Sequence, residues 1–265
     1  MNPEAIEVHR PVVKHFIKRR IVTLELDDLW GADLVIMNQY SSENDGYKYM
    51  LNVIDTYSKF AWSEPLKTKS GSEIVKAFRV IMARAKTTGH TTPNLLHTDK
   101  GREFVNKEFK QLLSKNGIRM YHTENEEKSA IVERFNRTLN NRMKVQFENR
   151  KSFKWIDILQ NLIDDYNKSY HRTIKMRPVD VKQHVDIRFF GPVRYPKPKL
   201  KCLDRVRITI KKNTFANKYR RNWSREIFTV VSVLGTVPVT YKIEDENGEV
   251  ILGSFYEREL SKTVL

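Results

Sequence analysis

The chain has 265 residues, enough for one sizeable domain and a smaller one, and its 40% apolar and 11% aromatic content is that of a folded protein. Forty-eight Lys and Arg against 32 Asp and Glu leave a net charge of +16, which points to a polyanionic partner such as nucleic acid. A single cysteine excludes an internal disulfide framework and a Cys-rich zinc finger, and no run approaches the roughly 20 apolar residues of a membrane span.

Residues 1–27 carry His9, Arg10, Lys14, Lys18, Arg19 and Arg20 without clean periodicity and are expected to form a basic arm. From Trp30 come three runs rich in β-branched and aromatic residues, ADLVIMNQY, YKYMLNVIDTYSKF and AWSEPL, the first two separated by the turn cluster SSENDG. Their short connections make them antiparallel. Ser72 is the expected cap of a helix in which Ile74, Phe78, Ile81 and Met82 share a face, ended by Gly89 and Pro93. NLLHT then reads as a strand, Glu103 to Lys115 as a helix with Gly117 beyond its end, and IRMYHT as a fifth strand. A long basic helix from about Lys128 to Phe147 follows. Another, from Trp155 to Tyr170, has Ile158, Leu159, Leu162, Ile163 and Tyr166 as its apolar stripe. Three strands, a helix, a strand, a helix, a strand and two helices is a ribonuclease-H-like α/β order, placed at residues 28–182.

Residues 183–201 hold RYPKPKLK and read as a basic, Pro-rich linker. From residue 202 to 265 alternation returns in DRVRITI, IFTVVSVL, VTYKIED and GEVILGSFY, with Asn247-Gly248 as a hairpin turn. A small all-β barrel is expected there, with Cys202 as a buried core residue.

Two acids stand out by position. Asp99 follows the apolar run of NLLHT and precedes Gly101, as at the end of a buried strand. Glu133 lies inside a helical pattern with Ile131, Phe135 and Leu139, 33 residues further on. A third acid comes from one of the first strands: Asp33 in WGADLVIM, or its rival Asp55 in VIDTYSKF. Three such carboxylates suit two divalent cations, Mg²⁺ or Mn²⁺, because these take hard oxygen ligands. A metal pair roughly 3.5–4 Å apart supports phosphoryl transfer on a polynucleotide.

These stretches also resemble a known family. WGADLVIM, VIDTYSKFAW, LLHTDKGREFVNKEF and the ERFNRTL of residues 133–139 are similar to the catalytic core of integrases from retroviruses and related elements. The tail WSREIFTVVSVLGTVPVTYKIEDENGEVILGSFYERELSK is similar to the C-terminal module of Maverick/Polinton-type transposon integrases, an SH3-like or chromo-like barrel that binds DNA. The resemblance selects Asp33 over Asp55 and implies that Asp33, Asp99 and Glu133 are the catalytic, metal-holding triad of a DNA-integrating nucleotidyltransferase. It also implies a multimer acting on element ends and target DNA, inside the cell and in the nucleus. Two departures stand beside it. The spacing from Asp99 to Glu133 is two residues shorter than the family's usual one, and the loop before Glu133 carries Glu124, Glu126 and Glu127 where Pro and Gly are usual. The His/Cys zinc module of such integrases has no counterpart in residues 1–27.

Further DNA contacts are expected from Lys100 beside Asp99, from Asn136, Arg137 and Asn140 on the helix of Glu133, and from Lys211, Lys212, Arg220 and Arg221 in the barrel. Trp223 reads as barrel core, and His97 and His122 as buried or edge histidines. Two alternatives remain at this level. One is an integrase-derived DNA-binding protein without turnover, and the other a nuclease of the same fold acting on RNA–DNA hybrids.

Overall fold

The computed structural model describes residues 2–13, 15–16, 23–99, 101, 103–121, 130–183, 197–210 and 219–264. The chain forms two compact units, Val22–Phe189 and Met1–Ile21 with Phe190–Leu265.

The larger unit is built on the strands β1 (Leu29–Ile36), β2 (Tyr49–Asp55), β3 (Ala61–Leu66), β4 (Leu95–His97) and β5 (Arg119–Tyr121). They lie in the order β3-β2-β1-β4-β5. β1, β2 and β3 are antiparallel neighbours, whereas β4 runs parallel to both β1 and β5. With the helices below, this is the expected mixed α/β, ribonuclease-H-like arrangement.

Strand alternation sends side chains to two faces. On one face Trp30, Ala32, Leu51, Val53 and Trp62 pack with α2 (Gly71–Thr87) and α3 (Lys107–Lys115) through Ile74, Phe78, Ile81, Phe109 and Leu112. On the other, Met50, Ile54 and Ala61 meet α4 (Ala130–Arg150) and α5 (Leu159–Lys168) through Val132, Phe135, Leu139, Leu162 and Tyr166. The spacing of Val132, Phe135, Leu139, Met143 and Phe147 keeps one apolar stripe of α4 on the sheet over its whole length.

Helix boundaries differ from the sequence expectation where side-chain caps decide. Ser70, not Ser72, caps α2: its hydroxyl accepts from the backbone N–H of Glu73, whose carboxylate reaches back to Thr68 N. Asn106 caps α3 through Phe109 N at 2.8 Å, and before the helix the backbone N–H groups of Phe104 and Val105 bond to the Gly101 carbonyl. Trp155 lies before α5, its backbone N–H and that of Ile156 held by Asn44 Oδ1 at 2.6 and 3.2 Å.

The smaller unit is a five-stranded antiparallel sheet among the described residues. It comprises β6 (Arg205–Ile208), β7 (Phe228–Leu234), β8 (Thr240–Glu244), β9 (Phe255–Tyr256) and β10 (Leu260–Lys262), hydrogen-bonded in the order β10-β6-β7-β8-β9. Val206, Val230, Tyr241 and Ile243 fill its core. Part of the expected arm is seen among the described residues as a helix. The short helix α1 (Pro3–Val8) belongs to this unit, because its Glu7 pairs with the buried Arg207 guanidinium at 3.0 Å and accepts from Thr263 Oγ1 at 2.6 Å. The Val8 carbonyl accepts from the backbone N–H of both Asn222 and Trp223, and Trp223 is buried as expected.

Cys202 departs from expectation. It is exposed, in a turn that ends at Leu203 with φ 71°, and its thiol lies 3.5 Å from the Val231 carbonyl, beside the bulge of β7 against β8. An apolar neighbour in sequence did not make it core, because the turn before β6 swings both residues outward.

Candidate functional site

Asp33 lies midway along β1 and faces α4, since Trp30, Ala32 and Leu34 take the opposite face. Asp99 follows β4. The parallel register runs Leu29 to Leu95, Trp30 to Leu96 and Gly31 to His97. The pairing ends there, two residues before Asp33 on β1 and two before Asp99 beyond β4. Asp99 is exposed and its Oδ1 accepts from Gly101 N at 3.1 Å.

Glu133 lies in the first turn of α4 and is exposed. One turn further on the same face, Asn136 donates from Nδ2 to Asp33 Oδ2 at 2.7 Å. Asn136 Oδ1 in turn accepts from Asn52 Nδ2 at 2.8 Å, and Asn52 Oδ1 accepts from the Ser63 hydroxyl at 2.6 Å. Asp33, Asn52 and Ser63 occupy one row across β1, β2 and β3. Asn52 and Ser63 were not singled out from the sequence. A fully buried Asn inside the apolar run MLNVID was the available signal.

The structure thus brings Asp33 together with Asn136, and the helix of Glu133 onto the strand of Asp33. The oxygens of Asp33, Asp99 and Glu133 do not all approach within 4.8 Å of one another; among the described residues only Asp27, Asp55 and His90 bring three potential ligand atoms that close. Of the DNA-contact candidates, Arg137 and Arg220 are exposed, and Asn140 and Arg221 are half-buried. Lys100, Lys211, Lys212 and His122, with the acids Glu124, Glu126 and Glu127, lie outside the described residues.

The Asp27–Asp55–His90 group is a hydrogen-bonded lock rather than a metal cage. Asp27 Oδ1 accepts from Trp30 Nε1 at 2.9 Å and His90 Nδ1 at 2.8 Å, and its Oδ2 accepts from Thr91 N and Oγ1 at 2.6 and 3.0 Å. Asp55 Oδ2 accepts from Ser58 N and Oγ at 2.7 and 2.6 Å, and its Oδ1 from Asp27 N at 3.3 Å. Every carboxylate oxygen already faces N–H or O–H donors, which a cation would have to displace. Burial works to raise Asp27, but the bonds from His90 and Thr91 hold it below the ordinary carboxylate range. Burial pushes Asp55 up despite its bonds to Ser58. The rival first acid is thereby committed to the interior.

The donor set of Asp33, Asp99 and Glu133 is chemically different. Three carboxylates at least partly open to solvent are the hard-oxygen set that Mg²⁺ or Mn²⁺ takes, so these residues fit a divalent metal.

Comparison with known proteins decides the family. The family model described as "Integrase core domain" matches residues 25–127. An uncharacterized transposon-derived protein of Caenorhabditis elegans is 34% identical over 211 residues, which cover 80% of this chain and 71% of that protein. This chain belongs to the transposon and retroviral integrase family. Another relative of this integrase-family chain is the Pro-Pol polyprotein of Simian foamy virus type 1. It is 29% identical over 148 residues, which make up 54% of this chain and 12% of the polyprotein. In fold, the chain is similar to one in the simian T-cell lymphotropic virus intasome in complex with PP2A regulatory subunit B56 gamma, with a TM-score of 0.69 and 16% identity over 98% of this chain and 87% of that one. No helix among the described residues is long and apolar enough to cross a membrane.

Proposed function

We propose that this integrase-family chain is a divalent-metal-dependent DNA nucleotidyltransferase that trims a 3′ end of an element and joins it to target DNA. What supports this reading is Asn136, which fastens the helix of Glu133 to Asp33, with Asp99 two residues past β4, the parallel neighbour of the strand of Asp33. Asp33, Asp99 and Glu133 would hold the ions. Bound there, the metal supplies charge neutralisation at the scissile phosphate and at the attacking and leaving oxygens.

In the first step water attacks phosphorus and displaces the element's 3′-oxygen, so that the element ends in a 3′-hydroxyl and the outer nucleotides leave with the phosphate on their 5′ end. In the second that hydroxyl gives up its proton and attacks a target phosphodiester, forming a new P–O bond, while the displaced target 3′-oxygen leaves and takes up a proton as a hydroxyl. The chain's own contribution is positioning and electrostatics. Asn136 orients the Asp33 carboxylate, while Arg137 on the exposed side of α4 is placed to meet phosphate. Asn140, Lys100 and, in the C-terminal module, Lys211, Lys212, Arg220 and Arg221 are proposed as further DNA contacts. The net charge of +16 supports DNA as the partner, and joining two ends calls for a multimer. We assign the module to the SH3-like or chromo-like barrels and the whole to the Maverick/Polinton-type branch on the resemblance of its tail. Nuclear action follows from the substrate.

The acidic residues Glu124, Glu126 and Glu127 ahead of Glu133 favour one second reading, a DNA-binding descendant without turnover. The deciding experiment offers labelled oligonucleotides with several different ends and a plasmid, with Mg²⁺ or Mn²⁺. Joined product that disappears in Asp33→Asn, Asp99→Asn and Glu133→Gln supports the enzyme. Salt-sensitive DNA binding with no joined product for any end supports the second reading.

A further inference from the structure

Two fully buried polar side chains, Asn52 and Ser63, sit in the largely apolar layer between the sheet and helices α4 and α5. Their neighbours on the same face, Met50, Ile54 and Ala61, are all apolar. A buried amide or hydroxyl left without partners costs about 1–3 kcal/mol, so such groups persist where they bond to one another. Here they do so with one polarity. The Ser63 hydroxyl donates to the Asn52 carbonyl oxygen, Asn52 Nδ2 donates to the Asn136 carbonyl oxygen, and Asn136 Nδ2 donates to the Asp33 carboxylate. Every hydrogen in the chain points toward the negative charge, an arrangement in which each bond polarises the next.

The direction matters for Asn136. An amide can turn over and present its oxygen instead of its nitrogen, and an oxygen against Asp33 would repel the carboxylate. The hydrogen from Asn52 occupies Asn136 Oδ1 and fixes the nitrogen toward Asp33. Ser63 does the same for Asn52. Because Asn136 is only half-buried, it would otherwise be free to rotate toward solvent.

We propose that Asn52 and Ser63 are positioning residues for Asp33, acting through Asn136, and that they set the carboxylate in the orientation in which it takes a divalent cation. The proposal rests on the reading of Asp33 as a metal-holding residue. Metal-ligand orientation by partners one step removed is a general feature of such sites, and their loss weakens metal binding about 10–100-fold.

The test measures Mn²⁺ affinity of the full-length chain from the free-ion electron paramagnetic resonance signal, together with thermal unfolding. Ser63→Ala is expected to weaken the Asp33-dependent Mn²⁺ site by about tenfold, with a lowered unfolding midpoint but a single cooperative transition, and Ser63→Thr, which keeps the hydroxyl, to restore the site. Asn52→Leu, similar in size, is expected to weaken the site further. If Asn52→Leu fails to fold, the Ser63 pair alone decides. Mn²⁺ affinity unchanged in Ser63→Ala, or lost in Ser63→Ala and not regained in Ser63→Thr, overturns the proposal. The control Asp33→Asn separates the two levels. If it leaves Mn²⁺ binding intact, the metal reading of Asp33 fails and the relay with it. If it removes the site while the Ser63 and Asn52 variants do not, the relay alone fails.

Discussion

Asn136 donates to Asp33 at 2.7 Å, and that one bond fastens the helix of Glu133 to the strand of Asp33. Its partners are side chains on different elements, so it sets the separation of two candidate metal-holding acids that are remote in sequence. Replacing the amide by a carboxylate puts two like charges within hydrogen-bonding distance, which disfavours ionisation of both. Asn136→Asp is therefore expected to reduce metal-dependent strand joining at least tenfold while metal-free DNA binding stays within about twofold. A parallel fall in DNA affinity, measured by fluorescence anisotropy, would instead identify Asn136 as a DNA contact.

The Asp27–Asp55–His90 lock predicts indifference to chelators. EDTA is expected to leave the thermal unfolding midpoint unchanged. His90→Ala removes one donor from a buried, ionised Asp27 and is expected to cost about 2 kcal/mol in denaturant unfolding. A midpoint that falls in EDTA and recovers on adding metal would mean that a bound ion contributes there after all.

Glu7 and Arg207 form a buried ion pair across 200 residues of sequence. Burial works to raise the Glu7 carboxyl, but the bonds from Thr263 and Arg207, with the charges of Arg10 and Arg207, hold it below its ordinary 4.5. Stability from a lowered carboxyl is fully present above its unfolded value and lost as pH falls through the folded one. Acid should therefore weaken the unit of Met1–Ile21 and Phe190–Leu265 below about pH 4.5. Glu7→Gln should flatten that dependence and cost roughly 3 kcal/mol at neutral pH, the low end for breaking a buried pair. Calorimetry of wild type and variant between pH 3 and 7 checks both; superimposable profiles would refute the claim that the pair staples helix α1 to the sheet.

Lys59, in the turn between β2 and β3, is buried, with its ammonium on the Thr56 carbonyl. Burial pushes it from 10.5 down to about 8, more than the Asp55 charge restores, and Arg134 adds to the fall. Between those values the unfolded chain holds a proton that the folded chain has released, so this group's contribution to stability rises with pH. Wild type is expected to gain roughly 3 kcal/mol relative to Lys59→Met between pH 8 and 10.5. Urea titrations across that window measure the difference, and parallel curves would show an unshifted lysine.

Much of the fold was legible because it is local. Runs rich in β-branched and aromatic residues marked β1, β2 and β3, the stripes of Ile74, Phe78 and Ile81 and of Phe135 and Leu139 marked the faces of α2 and α4, and Asn247-Gly248 marked a hairpin whose Gly248 has φ 80°. Helix starts were misplaced where a nearby side chain outbid the apparent cap: Ser70 rather than Ser72, and Asn106 ahead of α3. The exposure of Cys202 was beyond any local pattern, since it depends on a turn with Leu203 at positive φ.

For the site, the sequence by itself determined which residue types are available and on which elements: Asp33 on a strand, Asp99 after one, Glu133 on a basic helix, and a charge suited to a polyanion. Only the tertiary structure decided that the strand of Asp33 and the strand before Asp99 are parallel neighbours, that Asp55 is turned into a buried lock with Asp27 and His90, and that Asn136 grips Asp33 with Asn52 and Ser63 behind it. The physical reason is register. A strand's side-chain period of two fixes which face a residue takes, but which residues meet across strands depends on pairings between distant segments and on how α4 docks by its apolar stripe. The same holds for Glu7 and Arg207, whose partnership no local pattern encodes.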